Sequence, residues 1–189
     1  MDAVTEDLRK QGYNHVGDID ILDGVIYGGI EGDGNALMAA WNTSNLAMIK
    51  YVESRFGGLP WVAIHPVTKE LYSLQWGEAH NLQVFDGVTF EHLRDVYIGN
   101  ETVSLPGEIQ GGAFYEGELY MCSNAQDGVW KVNLSTLELQ WVLDDKYRNH
   151  EYEMEGLDFW DLRDRGLGVM HMYGNFMQLK EKAIHNYEP

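Results

Sequence analysis

The chain repeats itself, and the repeat constrains its fold more than any single motif. The segment "QGGAFYEGELYMCSNAQDGVWKVNLSTLELQWVL", residues 110–143, reads as four short apolar runs separated by Glu-Gly, Asp-Gly and a Ser-Thr turn. Its tail, "KVNLSTLELQW", aligns with "AAWNTSNLAMI" and with "QVFDGVTFEHL". Asn42, Asp86 and Asn133 then coincide. Three residues later come Asn45, Thr89 and Thr136, each followed by an apolar residue, Leu46, Phe90 or Leu137. Such a pattern predicts a strand end, a turn opened by an Asx side chain bonded to its own backbone, and a new strand.

The front of the unit recurs as well. "GVIY", "KELY" and "GELY" place Tyr27, Tyr72 and Tyr120 at matching positions. Ahead of them stand "HVGDIDI", "PWVAIHP" and "QGGAFYE", with "EGLDFWD" as a fourth copy. His15, Pro60, Gln110 and Glu155 share one column at spacings of 45, 50 and 45 residues. Asp18, Ala63, Ala113 and Asp158 share a second, three positions on. Each unit holds four strand-like runs of ordinary length, and none shows a sustained helical period.

Four-stranded units at this period predict an all-β fold, a β-propeller of four four-stranded blades in a single domain spanning residues 1–189. The blades fall at about residues 14–54, 60–98, 109–145 and 154–189. The last is one strand short. The N-terminal segment, residues 3–13, is expected to supply that strand and close the ring, because closure removes free sheet edges. The alternative is a fragment of a five- or six-bladed ring, or a ring completed by a second copy of the chain.

Charge narrows the partners. Thirteen basic against thirty acidic residues give a net charge of −17, which repels nucleic acid and anionic membranes. No apolar run approaches the roughly 18 residues that would span a bilayer. The single cysteine, Cys122, rules out an intrachain disulfide and a cysteine-rich zinc site. The acidic start lacks the apolar core of a signal peptide. That places the protein in the cytoplasm if Met1 is its native start, and outside the cell if a leader has been removed.

At "QGGAF" and "EGLDF" the chain resembles propellers whose inner strands begin with Gln-Gly or Glu-Gly. These are the strictosidine synthase-like proteins, the calcium-dependent lactonases and phosphotriesterases, and the SdiA-regulated and esterase-like propellers. In the lactonase branch the resemblance implies a Ca²⁺ ion in the central tunnel, held by Glu, Asn and Asp from inner strands.

Candidate site residues follow from the columns. Inner-strand starts converge on the tunnel, so Glu155, Gln110, Asp18 and Asp158 are the expected oxygen ligands of a hard cation, Ca²⁺. The competing expectation is that they tie neighbouring blades together. His15 and His65 are the candidate proton-transfer groups. Trp61, Trp76, His80 and Tyr173 are candidates for an aromatic-lined ligand mouth; Glu31, Trp76, Asn124 and Tyr173 end the second strand of each unit. "GDIDILDG", residues 17–24, alternates acids with isoleucines and ends in Asp-Gly, so it predicts a strand and a hairpin rather than a calcium loop. Asn42, Asn100 and Asn133 each open an N-x-S/T sequon; turn chemistry already accounts for Asn42 and Asn133.

Three functions remain open. One is a binding or interaction propeller presenting a small molecule or protein site at the tunnel mouth. The second is a Ca²⁺-dependent, esterase- or lactonase-like hydrolase with the metal in the tunnel. The third is a structural subunit of a larger assembly, a homo-oligomer if the ring is incomplete.

Overall fold

The repeat is visible first in its turns. Leu46, Phe90 and Leu137 each donate a backbone N–H to the carbonyl of Asn42, Asp86 or Asn133, at 2.8, 2.9 and 2.7 Å. The Asx side chain of each turn accepts backbone N–H groups two or three residues on. All three apolar residues sit in the left-handed region, at φ 56°, 67° and 62°. The same local chemistry therefore ends the third strand of three successive units.

The computed structural model describes residues 2–78, 80–126, 128–144, 152–162, 165, 170–178 and 182–187. A short helix, α1 (Glu6–Lys10), precedes the strands. The first sheet holds β1 (His15–Leu22), β2 (Val25–Glu31), β3 (Ala36–Asn42) and β4 (Met48–Glu53). The second holds β5 (Ala63–Ile64), β6 (Glu70–Ser73), β7 (Asn81–Asp86) and β8 (His92–Tyr97). The third holds β9 (Ile109–Tyr115), β10 (Glu118–Ser123), β11 (Gly128–Val132) and β12 (Leu139–Asp144). The fourth holds β13 (Tyr152–Asp161), β14 (Met170–Gln178) and β15 (Lys182–Tyr187). Within every sheet, neighbours in sequence are neighbours in space and run antiparallel. This is the blade topology of a β-propeller.

Sheets pack face to face through apolar side chains. Met38 and Ala40 of the first sheet meet Ile64, Leu71 and Phe85 of the second, with Leu59 of the segment that leads into it. Tyr72, Leu82 and Val84 of the second meet Ile109, Leu119 and Met121 of the third. Cys122 and Val129 of the third meet Met154 and Leu157 of the fourth. Because both faces of a middle strand are covered, β3 and β7 read as nearly unbroken apolar runs.

One expectation is corrected. The N-terminal segment does not add a strand to the fourth sheet. Residues 6–10 form α1, capped by Thr5, whose Oγ1 accepts the Leu8 N–H at 3.4 Å. Glu6 and Asp7 lie in the first turn and Arg9 and Lys10 in the last, the charge order that suits a helix dipole. Val4, Leu8 and Tyr13 pack on the outer face of the first sheet against Ile30, Leu37, Ala39 and Trp41. The repeat predicts a strand here from position and ring closure alone, and five helical residues are too few to show a period of their own.

Candidate functional site

The innermost strands carry the chemistry, and three of the four, β1, β9 and β13, are bent by an extra residue. In β1, Val16 pairs with Ile30 and Ile19 with Gly28, so Gly17 and Asp18 face a single residue. In β9 the irregularity falls at Gln110, and in β13 at Glu155. Such bulges re-aim side chains, often beside functional sites. They also move the sequence columns. Tyr72, Tyr120 and Tyr173 pair with Ala63, Ala113 and Asp158, but Tyr27 pairs with Asp20. Asp20, not Asp18, is therefore the counterpart of Ala63, Ala113 and Asp158. Asp18 instead bridges Trp61, and it aligns with Gly111 and Gly156.

Asp18 stands where the inner strands of all the sheets meet. Its backbone N–H donates to Pro60 O at 3.0 Å, and its carbonyl accepts Val62 N–H at 3.2 Å, both in the second unit. Its carboxyl Oδ2 accepts Gly112 N–H of the third sheet and Leu157 N–H of the fourth, each at 3.2 Å. Two glycines make this possible. A Cβ on Gly111 would stand 2.7 Å from Gly156 Cα and 2.8 Å from Asp18 Oδ2. A Cβ on Gly156 would stand 2.8 Å from Asp18 Oδ1. Trp61, fully buried, packs against Gly112 beside this contact. The inner strands thus meet around a half-buried carboxyl group and a buried indole.

The electrostatics are one-sided. Burial pushes the Asp18 carboxyl well above the usual carboxylate range, and the nearby Asp158 adds to the rise. The N–H groups of Leu157, Gly112 and Ile19 pull the other way and do not overcome it. Asp20 is raised to about 6, chiefly by burial, although its Oδ2 accepts Ile64 N–H at 2.9 Å and its Oδ1 accepts Ile21 N–H at 2.6 Å. Asp158 is also raised by burial on its axial side, although the residue as a whole is exposed. The Cys122 thiol is pushed up by burial and then by Asp18, which leaves it protonated and inert.

Among the described residues no three His, Cys, Asp or Glu side chains are grouped closely enough to hold a metal ion. Asp18 Oδ2 is turned toward two N–H donors, those of Gly112 and Leu157. Gln110 is 8% exposed at its bulge, and Glu155 sits at the equivalent bulge of β13.

The other candidates are dispersed. His15 lies at the start of β1, with Nε2 4.0 Å from Glu31 Oε2. His65 Nδ1 accepts the N–H groups of Val67 and Thr68 at 3.2 and 3.1 Å, which makes it the cap of its own turn. Trp61 is 0% exposed, so it does not line a ligand mouth; the expectation for it is corrected, because its ring packs into the core against Gly112. Trp76 is 43% exposed. The His80 ring stacks on Tyr97 at 4.7 Å, with Nδ1 2.9 Å from Ile98 O. Tyr173 lies inside β14 opposite Asp158, in register with Tyr72 and Tyr120, and not at the end of the second strand where the repeat places it.

The second-strand ends tie each unit to the next. Glu31 Oε1 accepts Leu59 N–H at 2.8 Å, Trp76 O accepts Glu108 N–H at 2.8 Å, and Asn124 Oδ1 accepts Met154 N–H at 3.4 Å. The column holding Glu31, Trp76 and Asn124 is therefore a set of seams between sheets. From it only Trp76 presents a large exposed ring.

No family model matches the chain, and no curated protein matches it by sequence. Its fold is shared with solved propellers. Glutaminyl cyclase from Myxococcus xanthus is similar over 92% of this chain and 73% of its own, at 13% identity and a TM-score of 0.66. A luciferin-regenerating enzyme is similar over 98% of this chain and 64% of its own, at 14% identity and a TM-score of 0.64. The WD40 repeats of RRP9 are similar over 94% of this chain, at 13% identity and a TM-score of 0.52. The chain spans about half the length of that WD40 protein, 51%. At such identities the likeness is one of fold alone.

Proposed function

We propose that this chain is a propeller binding module whose axis is a structural lock and whose ligand or protein partner is met on the face that carries Trp76. The observation that carries this reading is the cross-linked centre. Asp18 Oδ2 accepts N–H groups from two other sheets beside the buried Trp61. Recognition then falls to the loops, as it does on other rigid scaffolds. Trp76 supports it. The ring is exposed while its own carbonyl is pinned by Glu108 N–H across a seam between sheets, so the platform is held without being buried. The neighbouring His80–Tyr97 stack stiffens the same loop.

The inner-strand starts in "QGGAF" and "EGLDF" keep the strictosidine synthase-like and lactonase propellers as the group of comparison, and a Ca²⁺-dependent hydrolase as the rival. Nothing in the geometry of His15 or His65 favours that rival. A thermal-shift screen of small molecules and peptides against the native chain and Trp76→Ala tests the proposal. Ligands that stabilise the native chain and not the variant support it. Reproducible ester or lactone turnover that Trp76→Ala leaves intact and Glu155→Gln abolishes would overturn it.

A further inference from the structure

Charge is divided between the two faces of the propeller. One face is made by the connections that follow the second and the fourth strand of a sheet, and it carries Trp76. Across residues 31–36, 53–62, 74–81 and 97–109 it holds Glu31, Asp33, Glu53, Glu78, Glu101 and Glu108, against Arg55 alone among Lys and Arg. Arg55 is engaged with the outer strand of the second sheet. Its Nη2 lies 3.3 Å from His92 Nε2 and 3.8 Å from Asp95 Oδ2.

The basic side chains of the first three sheets reach the other way. Lys69 pairs with Asp23 at 2.8 Å, Arg94 with Glu70 at 2.6 Å and Lys131 with Glu118 at 2.6 Å. Lys50 donates to Val88 O and Thr89 O, each at 2.8 Å. These partners lie in or beside the hairpin turns of the opposite face. The Trp76 face is left acidic.

One loop of that face combines acid with aromatic surface. Trp76 is 43% exposed and Tyr97 52%. Glu78 stands two residues from Trp76. Its Oε1 accepts His80 N–H at 2.9 Å and its Oε2 accepts the Asn81 side-chain amide at 3.1 Å. Glu108, whose N–H holds the Trp76 carbonyl, has its Oε2 3.5 Å from Asn124 Nδ2. Both carboxylates are thus tied to the loop that carries the indole by amide N–H donors, which fix their position without neutralising them.

We infer that this loop docks a basic protein segment, with an Arg or Lys side chain laid on the Trp76 ring and its charge met by Glu78 and Glu108. The inference rests on the binding reading above and names the chemistry of the partner. An indole face attracts a cation through its quadrupole, and a guanidinium can also stack flat on it. The acidic surround draws a basic partner in and speeds encounter. The same net charge of −17 turns away nucleic acid and a second copy of the chain.

The test titrates labelled peptides of equal length, one Arg-rich, one Glu-rich and one uncharged, against the full chain by fluorescence anisotropy at low and physiological salt. The Arg-rich peptide alone should bind, and more weakly as salt rises. Trp76→Ala and Glu108→Gln should each weaken it about tenfold, with Trp76→Tyr keeping part of the affinity. Glu91→Gln, which removes the same charge from the opposite face, should change it by less than about twofold. Melting temperatures show that each variant is folded. Equal weakening by Glu91→Gln and Glu108→Gln would mean attraction by overall charge, and would overturn the inference. So would an Arg-rich peptide that binds native chain and Trp76→Ala alike. If screened ligands need Trp76 while the Arg-rich peptide does not bind, this inference fails and the binding reading stands. If nothing that binds depends on Trp76, both fail.

Discussion

Asp18 and Leu157 are 139 residues apart, yet the Asp18 carboxyl accepts the Leu157 N–H at 3.2 Å. Because the same oxygen also accepts Gly112 N–H, one side chain joins the first sheet to the third and the fourth. Asp18→Ala strands both donors in a buried place. At about 1–3 kcal/mol for each unsatisfied group, the loss is a large share of the stability of a domain this size. Asp18→Asn keeps an acceptor and drops the charge, so it should cost much less. Urea unfolding of the two variants measures the difference. Equal losses would mean that packing, not hydrogen bonding, makes Asp18 important.

The axial acids also predict a pH dependence with a definite sign. Asp20 is raised to about 6, and Asp18 and Asp158 are raised as well. A carboxyl raised above its unfolded value binds its proton more tightly in the folded state. Its contribution is fully present below the unfolded value of about 4 and is lost as pH rises through the folded one. Stability should therefore decline between about pH 4 and pH 7 over the range where the chain stays folded. Asp20→Asn and Asp158→Asn should each flatten the slope. Melting temperature against pH gives the answer, and a native chain that gains stability across this window would refute the assignment.

Much of this arrangement was legible in the sequence, and the remainder was hidden for a physical reason. The Asn42, Asp86 and Asn133 turns, the Asp23-Gly24 and Glu116-Gly117 hairpins and the four-run units all announce themselves, because local chemistry fixes them. The bulge in β1 does not. It adds a residue without changing composition, so the column that held Asp18 with Ala63 and Ala113 slipped, and Asp20 was passed over. The signal available was the dipeptide pattern. Gly17-Asp18 stands against Pro60-Trp61, Gln110-Gly111 and Glu155-Gly156, a set in which two glycines face one large acid and one indole. The N-terminal helix leaves no mark in the sequence, because five helical residues are too few for a period to declare itself.

Glycine at the axis is a steric demand, and glycine at a hairpin a torsional one. Gly111→Ala would place a methyl group 2.7 Å from the Gly156 backbone. Neither strand can yield without breaking the Asp18 contacts, so the cost should be at least the roughly 1–3 kcal/mol of an overpacked core. Gly117→Ala meets nothing within 4 Å, but its φ is 83°. It should cost only about 1 kcal/mol, the penalty of a left-handed residue. Chemical denaturation of the pair separates the two causes, and a Gly117→Ala loss as large as that of Gly111→Ala would show that the axis is more accommodating than its distances imply.

Metal response tests the axis from the other side. A ligand that binds only the folded chain stabilises it by about 2.7 kcal/mol at a hundredfold excess over its dissociation constant. Asp18 Oδ2 already accepts the Gly112 and Leu157 N–H groups, and a Ca²⁺ ion at the axis would compete with them for it. The expected outcome is a melting temperature unchanged by EDTA or by millimolar Ca²⁺ beyond the small shift that Mg²⁺ gives through screening of the −17 charge. A shift specific to Ca²⁺ and abolished in Glu155→Gln would mean that the bulges at Gln110 and Glu155 open the axis to an ion. The lock would then be one state of a metal-binding tunnel, and the hydrolase reading would regain its ground.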